Sequence, residues 1–116
     1  AMIEIFKTLM GSSDTDRKYE NISPQDARDK MKELNRKEYE VIDVRTEDEF
    51  ASGHLRGAIN MNLFDPQFGA KTEHLDPSKA YFLICRSGNR SATACKKMAK
   101  SGHKNLYNIA GGMMSW

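Results

Sequence analysis

The chain has 116 residues, and its 18 Lys and Arg against 16 Asp and Glu give a net charge of +2. With 39% hydrophobic and 29% charged residues, it has the size and composition of one ordinary globular domain. The charge is too small and too evenly interleaved for a nucleic-acid-binding surface, so no nucleic-acid partner is expected.

Location is predicted from the apolar segments and the cysteines. The longest apolar run, residues 80–85, is far shorter than the roughly 20 residues that span a bilayer, and no membrane partner is expected. Glu4 and Lys7 interrupt the apolar N-terminus, unlike the continuous apolar stretch of a signal peptide. Two cysteines are too few for a disulfide framework. We expect a cytoplasmic protein.

The sequence divides into an N-terminal extension, residues 1–18, and a domain, residues 19–116. Apolar residues recur at helical spacing in the extension, which predicts a short amphipathic helix over residues 2–10. A Gly-Ser-Ser-Asp linker follows it. This helix could pack on its own domain or serve in docking or dimerisation.

The domain begins with a well-marked helix start. Ser23 can cap a helix, Pro24 suits the first helical position, and Asp26 completes a capping-box pattern. We predict a helix over residues 24–35 with Ala27 on its buried face.

Strands and helices alternate along the rest of the chain. Short apolar runs predict strands over residues 39–44, 58–61, 80–85 and 106–109. Thr46 and Glu49 form a capping box for a short helix that stops near Gly53, and a second helix over residues 91–100 stops at Gly102. This order predicts an α/β domain with a mainly parallel sheet covered on both faces.

The segment from Cys85 to Arg90 carries the clearest chemistry. A buried strand ends at Cys85, a loop containing Gly88 follows, and a helix begins directly afterwards. Loop amides that lead into a helix N-terminus form an anion site, and together with Arg86 and Arg90 they favour the thiolate of Cys85. The sequence therefore predicts a nucleophilic cysteine in a cradle for a negatively charged group.

The Cys85–Arg90 loop and four other segments resemble the rhodanese homology domain. The four are Val41-Ile42-Asp43-Val44-Arg45, Glu49-Phe50, residues 53–60 (Gly-His-Leu-Arg-Gly-Ala-Ile-Asn) and the closing residues 111–116 (Gly-Gly-Met-Met-Ser-Trp). The resemblance covers residues 19–116. It implies a central parallel sheet of about five strands flanked by helices, and a sulfurtransferase that needs no cofactor.

The resemblance also implies a role for each loop residue. Cys85 would attack the outer sulfur of thiosulfate or another persulfide donor and carry it as a persulfide to an acceptor, which is cyanide in an assay or a thiol, including a protein thiol, in a cell. Arg86 and Arg90 would bind the sulfonate, and the amides of Ser87, Gly88 and Asn89 would complete the substrate cradle.

Two other functions compete with sulfur transfer. Cysteine-dependent phosphatases of this fold need one more residue between cysteine and arginine than the four that separate Cys85 from Arg90, and Ser91 stands where their arginine would be. Phosphatase chemistry is therefore disfavoured. A binding module without turnover is the second hypothesis, although inactive relatives often lack the loop cysteine.

The remaining polar candidates are given supporting roles. Asp43 and Arg45 would support the loop by hydrogen bonding or ion pairing, with Arg45 and Glu49 as a possible pair. Cys95 lies on an apolar helix face and is predicted to be a small buried residue. His54 is predicted to make a local hydrogen bond. No histidines or cysteines have ligand-like spacing, so no metal is expected. Three lysines of the helix predicted over residues 91–100 are expected to form a solvated surface: Lys96, Lys97 and Lys100.

Overall fold

The computed structural model describes residues 18–116 as one parallel five-stranded sheet with helices on both faces. The strands are β1 (Glu20–Ile22), β2 (Tyr39–Asp43), β3 (Ile59–Asn60), β4 (Ala80–Ile84) and β5 (Asn105–Ile109). The helices are α1 (Pro24–Glu33), α2 (Glu47–Ala51), α3 (Phe68–Glu73), α4 (Asn89–Lys100) and α5 (Gly112–Ser115), with a 3₁₀ helix at Arg36–Glu38.

The strand order is β1-β5-β4-β2-β3, and every neighbouring pair is parallel. β4 lies in the middle, with Ile42 of β2 opposite Leu83 and Tyr107 of β5 opposite Phe82. Because all strands run the same way, their carboxyl ends meet at one edge, where ligands bind in open α/β sheets. The segment that follows β4 therefore emerges at the centre of that edge.

Successive residues of the strands point to opposite faces of the sheet and build two hydrophobic clusters. On one face Leu83 and Leu106 pack with Met98 of α4 and Phe68 of α3. On the other face, the cluster comprises Ala27, Val41, Phe82, Ile84 and Ile109. Burying each large apolar side chain is worth about 1.5–3 kcal/mol, so these two layers hold the central strand from both sides.

The helix starts predicted from caps are confirmed. Ser23 accepts a hydrogen bond from the N–H of Asp26, and Thr46 and Glu49 form the reciprocal capping box of α2. Two helix bounds were slightly wrong: α1 ends at Glu33 rather than at residue 35, and α4 begins at Asn89 rather than at residue 91.

Four elements were not predicted: β1, the 3₁₀ helix, α3 and α5. β1 has three residues and pairs with β5 at the edge of the sheet. α3 lacks a side-chain cap and is held by the buried residues Phe68 and Thr72. The amphipathic helix expected over residues 2–10 lies outside the described residues, and the division into residues 1–18 and 19–116 stays a prediction.

Candidate active site

Cys85 lies directly after β4, at the carboxyl edge of the sheet, and its side chain is fully buried. The chain turns at Gly88, whose φ of 105° is accessible to glycine at little cost, and α4 starts at the next residue. The turn brings the Gly88 N–H to 3.0 Å from Cys85 Sγ and the Ser91 N–H to 3.4 Å. The Ser91 hydroxyl also lies 3.4 Å from Sγ. The strand–loop–helix segment therefore aims several polar groups at one sulfur.

These groups set the ionisation of the thiol. Burial alone raises the pKa of Cys85, but the hydrogen bonds around the sulfur, among them those from the N–H groups of Ser91, Gly88 and Ser87, outweigh burial. The pKa of Cys85 therefore lies below its ordinary value. A backbone N–H that points at sulfur stabilises the thiolate over the thiol, so the site favours the nucleophilic form.

Asn108 of β5 holds the loop that follows Cys85, a role that the sequence did not predict. Its side-chain amide donates to Asn21 Oδ1 at 2.8 Å and to the carbonyl oxygen of Gly88 at 3.2 Å. Its Oδ1 accepts a short hydrogen bond from the Ser91 hydroxyl. Asn108 thus binds Ser91 and Gly88, the two residues whose N–H groups point at Cys85 Sγ. A polar residue within the apolar run 106–109 was the signal that could have revealed it.

The closing Gly-Gly segment covers the loop from the other side. The N–H of Met113 donates to the carbonyl oxygen of Cys85 at 2.8 Å, and that of Met114 donates to the carbonyl oxygen of Arg86 at 3.0 Å. Gly112 has a φ of 57°, and a Cβ built there would meet the backbone of Arg86 at 2.6 Å. Only glycine fits at this close approach of two backbones.

Asp43 and Arg45 form a buried ion pair at the end of β2. Arg45 donates Nε–H to both carboxylate oxygens, at 3.0 and 3.1 Å, and Nη2–H to Oδ2 at 2.8 Å. Arg45 Nη2 also donates to the carbonyl oxygen of Gly53 at 2.7 Å, which ties the pair to the end of α2. Asp43 and Arg45 thus form an ion pair, and the expectation that they support the Cys85 loop stays a prediction.

The expected pairing of Arg45 with Glu49 is wrong. Glu49 instead takes the guanidinium of Arg90, with Nη1 at 2.6 Å from Oε1 and Nη2 at 2.9 Å from Oε2. Glu49 lies four residues from Arg45 but 41 residues from Arg90, so the true partner could be identified only in three dimensions. The hydrogen bonds from Arg90, together with those of Thr46, lower the pKa of Glu49 to about 2.

The other predicted loop residues differ in their exposure. Arg86, Ser87 and Asn89 are exposed, Arg90 is partly buried, and Gly88 is buried. Within residues 18–116, Arg86 has no ion pair. The structure thus places one free guanidinium and one paired guanidinium on the loop that begins at Cys85.

The residues expected to lie outside the chemistry fit their predicted roles. Cys95 is fully buried and its desolvation raises its pKa to about 12. His54 Nδ1 lies 2.8 Å from the carbonyl oxygen of Phe50, a local hydrogen bond as predicted. The three lysines of α4 are all exposed, in agreement with a solvated surface: Lys96, Lys97 and Lys100.

Two other kinds of functional feature are absent from the described part of the chain. No cluster of three or more His, Cys, Asp and Glu side chains there is arranged to hold a metal ion. None of its helices combines the length and the apolar character that crossing a bilayer requires. The expectation of a cytoplasmic protein stays a prediction.

Comparison with known proteins identifies the family. The model of the Rhodanese-like domain matches residues 23–116. This chain belongs to the rhodanese-like family. YtwF of Bacillus subtilis is 42% identical over 76 residues, which are 66% of this chain and 71% of YtwF. Thiosulfate sulfurtransferase 18 of Arabidopsis thaliana is 32% identical over 90 residues, 67% of this chain and 66% of that protein.

The fold is that of the same family. The crystal structure of a rhodanese-related protein from Thermoplasma volcanium superposes with a TM-score of 0.71 and 32% identity, covering 84% of this chain and 90% of that one. The expectation of a rhodanese-like α/β fold is confirmed. Relatives named as sulfurtransferases support a transferase of the rhodanese type.

Proposed function

We propose that this chain transfers sulfane sulfur through a persulfide on Cys85. The observation that carries the proposal is the set of hydrogen bonds around Sγ, in which the N–H of Gly88 lies at 3.0 Å and that of Ser91 at 3.4 Å. Donors arranged this way keep a thiolate ionised and would also stabilise a negatively charged sulfur attached to it. A carrier of persulfide sulfur needs both properties.

In the proposed first half-reaction, the Cys85 thiolate attacks the outer sulfur of thiosulfate. A new S–S bond forms, the S–S bond of thiosulfate breaks, and sulfite leaves with the bonding electron pair. Arg86, exposed beside Cys85, is the cation available to bind the sulfonate. Arg90, paired with Glu49, lies at the start of α4, and the amides of Ser87 to Asn89 line the cradle.

In the second half-reaction, a nucleophilic acceptor attacks the outer sulfur of the persulfide. The Cys85 S–S bond breaks and the thiolate is regenerated with the electron pair. Cyanide would yield thiocyanate, and a small-molecule or protein thiol would yield a new persulfide. Neither step needs a metal or a cofactor, because the sulfur moves between nucleophiles without net oxidation or reduction.

One observation favours the alternative of a binding module without turnover. Cys85 has 0% relative exposure, so no donor can reach Sγ in this conformation. Turnover therefore requires the exposed loop residues to move aside, as loops at binding sites commonly do. A domain whose loop never opens would act only by recognising a partner.

The deciding experiment is the production of thiocyanate from thiosulfate and cyanide. We expect the native protein to be active and Cys85→Ser to be inactive. Cys95→Ser should keep its activity, because Cys95 lies on the buried face of α4, in the core. A native protein that neither produces thiocyanate nor forms a persulfide with any donor would favour the binding module.

A further inference from the structure

The cradle around Cys85 carries less positive charge than its two arginines suggest. Glu49 binds Arg90 through two parallel hydrogen bonds of 2.6 and 2.9 Å, the strongest geometry between these groups. Thr46 donates to Glu49 Oε1 from its N–H and from its hydroxyl, both at 3.1 Å. Because these bonds hold the pKa of Glu49 at about 2, the carboxylate stays charged at any physiological pH.

One further ion pair, at the carboxyl end of β2, adds no net charge to this region. Asp43 and Arg45 neutralise one another in their buried pair. Arg86 is the only loop cation without an ionic partner among residues 18–116. The cradle therefore holds one uncompensated positive charge before Cys85 ionises, and none after it has done so.

The net charge of the cradle affects which sulfur donors can bind next to Cys85. Thiosulfate is a dianion and must approach a thiolate, so it needs an excess of positive charge to offset the repulsion. A persulfide of a thiol carries at most one negative charge on its reacting end, as R–S–S⁻, and none in the protonated form R–S–SH that Cys85 would attack. Attack by Cys85 on its outer sulfur breaks the S–S bond and releases R–S⁻ with the electron pair.

We propose that Glu49 determines donor specificity, by holding Arg90 and so restricting the cradle to donors of low negative charge. The proposal rests on the proposed sulfur transfer and refines it: persulfides of thiols are the preferred donors, and thiosulfate is a poorer one. Glu49 acts through Arg90 and is a positioning residue, because nothing in the geometry brings its carboxylate to the sulfur.

The test compares two alkylating reagents on Cys85, iodoacetate with a negative charge and iodoacetamide without one. Glu49→Gln removes the charge but keeps an oxygen for the capping box with Thr46. Asp48→Asn makes the same change of net charge on the same helix, at an exposed residue. The ratio of the two rate constants cancels any change in the pKa of Cys85 or in the folded fraction.

We expect Glu49→Gln to raise the iodoacetate-to-iodoacetamide ratio about fivefold, the effect of one partly screened charge, and Asp48→Asn to leave it unchanged. The same variant should raise kcat/KM for thiosulfate relative to cysteine persulfide. An unchanged alkylation ratio in Glu49→Gln, or an equal rise in Asp48→Asn, would overturn the proposal. Since alkylation does not depend on sulfur transfer, a raised ratio without persulfide formation would refute the proposed function alone.

Discussion

Replacing Gly112 by alanine tests whether the closing segment fixes the loop of Cys85. The new Cβ would lie 2.6 Å from the carbonyl oxygen of Arg86 and 2.7 Å from its carbonyl carbon, and closer still to the carbonyl oxygen of Cys85. Those two carbonyl oxygens accept the N–H groups of Met114 and Met113. The backbone therefore cannot move away without loss of these hydrogen bonds.

The cost follows from two contributions. A non-glycine residue in the left-handed region costs about 1–2 kcal/mol, and Gly112 has a φ of 57°. Loss of two backbone hydrogen bonds adds about 1 kcal/mol each. We expect Gly112→Ala to lower the free energy of unfolding by about 3–4 kcal/mol, and to slow alkylation of Cys85 at neutral pH because the displaced loop loses its N–H groups around Sγ.

Gly102→Ala is the matched control. Gly102 has a φ of 99°, and a Cβ there meets nothing within 4 Å. It should therefore cost only the backbone term of about 1–2 kcal/mol and leave Cys85 unaffected. Urea denaturation measures both free energies, and iodoacetamide measures the reactivity. Equal destabilisation by the two substitutions, with unchanged reactivity, would refute the role assigned to Gly112.

Three further predictions concern ionisation and support of the loop. The alkylation rate of Cys85 should rise with pH with a midpoint below the ordinary thiol pKa, whereas Cys95, whose pKa is raised to about 12, should stay unreactive at neutral pH. A rate–pH profile of each single Cys→Ser variant measures these midpoints. A midpoint for Cys85 at or above the ordinary thiol pKa would contradict the prediction. Asn108→Leu should lower the free energy of unfolding by about 2–4 kcal/mol, because it leaves buried polar groups at the loop unpaired; urea denaturation measures the loss, and a change within error would contradict the support assigned to Asn108. The pKa of Glu49 is lowered from 4.5 to about 2 on folding, so its stabilising effect is complete above pH 4.5 and is lost as the pH falls towards 2. The stability difference between the native protein and Glu49→Gln should accordingly vanish over this acid range in urea titrations, and a difference that persists at pH 2 would contradict the pairing.

The features that could be predicted from the sequence depend on neighbours along the chain. The capping residues Ser23 and Thr46 lie three residues from their partners. The apolar composition of residues 39–44 and 80–85 predicts central strands. The position of Cys85 between such a strand and a helix was equally local. These signals were sufficient for the α/β order and for the loop.

The features that were missed depend on distant partners. β1 exists because Glu20–Ile22 pairs with β5, and its three residues carry no periodic pattern. The Arg90–Glu49 pair joins α2 to the first turn of α4, and the nearer Arg45 was a plausible but wrong partner. Asn108 forms hydrogen bonds with Ser91 and Gly88, which lie 17 and 20 residues before it in the sequence. Such contacts follow from the topology rather than from any local pattern.

The central claim is that Cys85 carries sulfur, and intact-protein mass spectrometry after incubation with a donor tests it most directly. Thiosulfate and cysteine persulfide are each supplied, and the native protein is compared with Cys85→Ser and Cys95→Ser. The account predicts a gain of one sulfur atom in the native protein and in Cys95→Ser, reversible by cyanide, and no gain in Cys85→Ser. Absence of the added sulfur from the native protein with both donors, or its persistence in Cys85→Ser, would contradict the account.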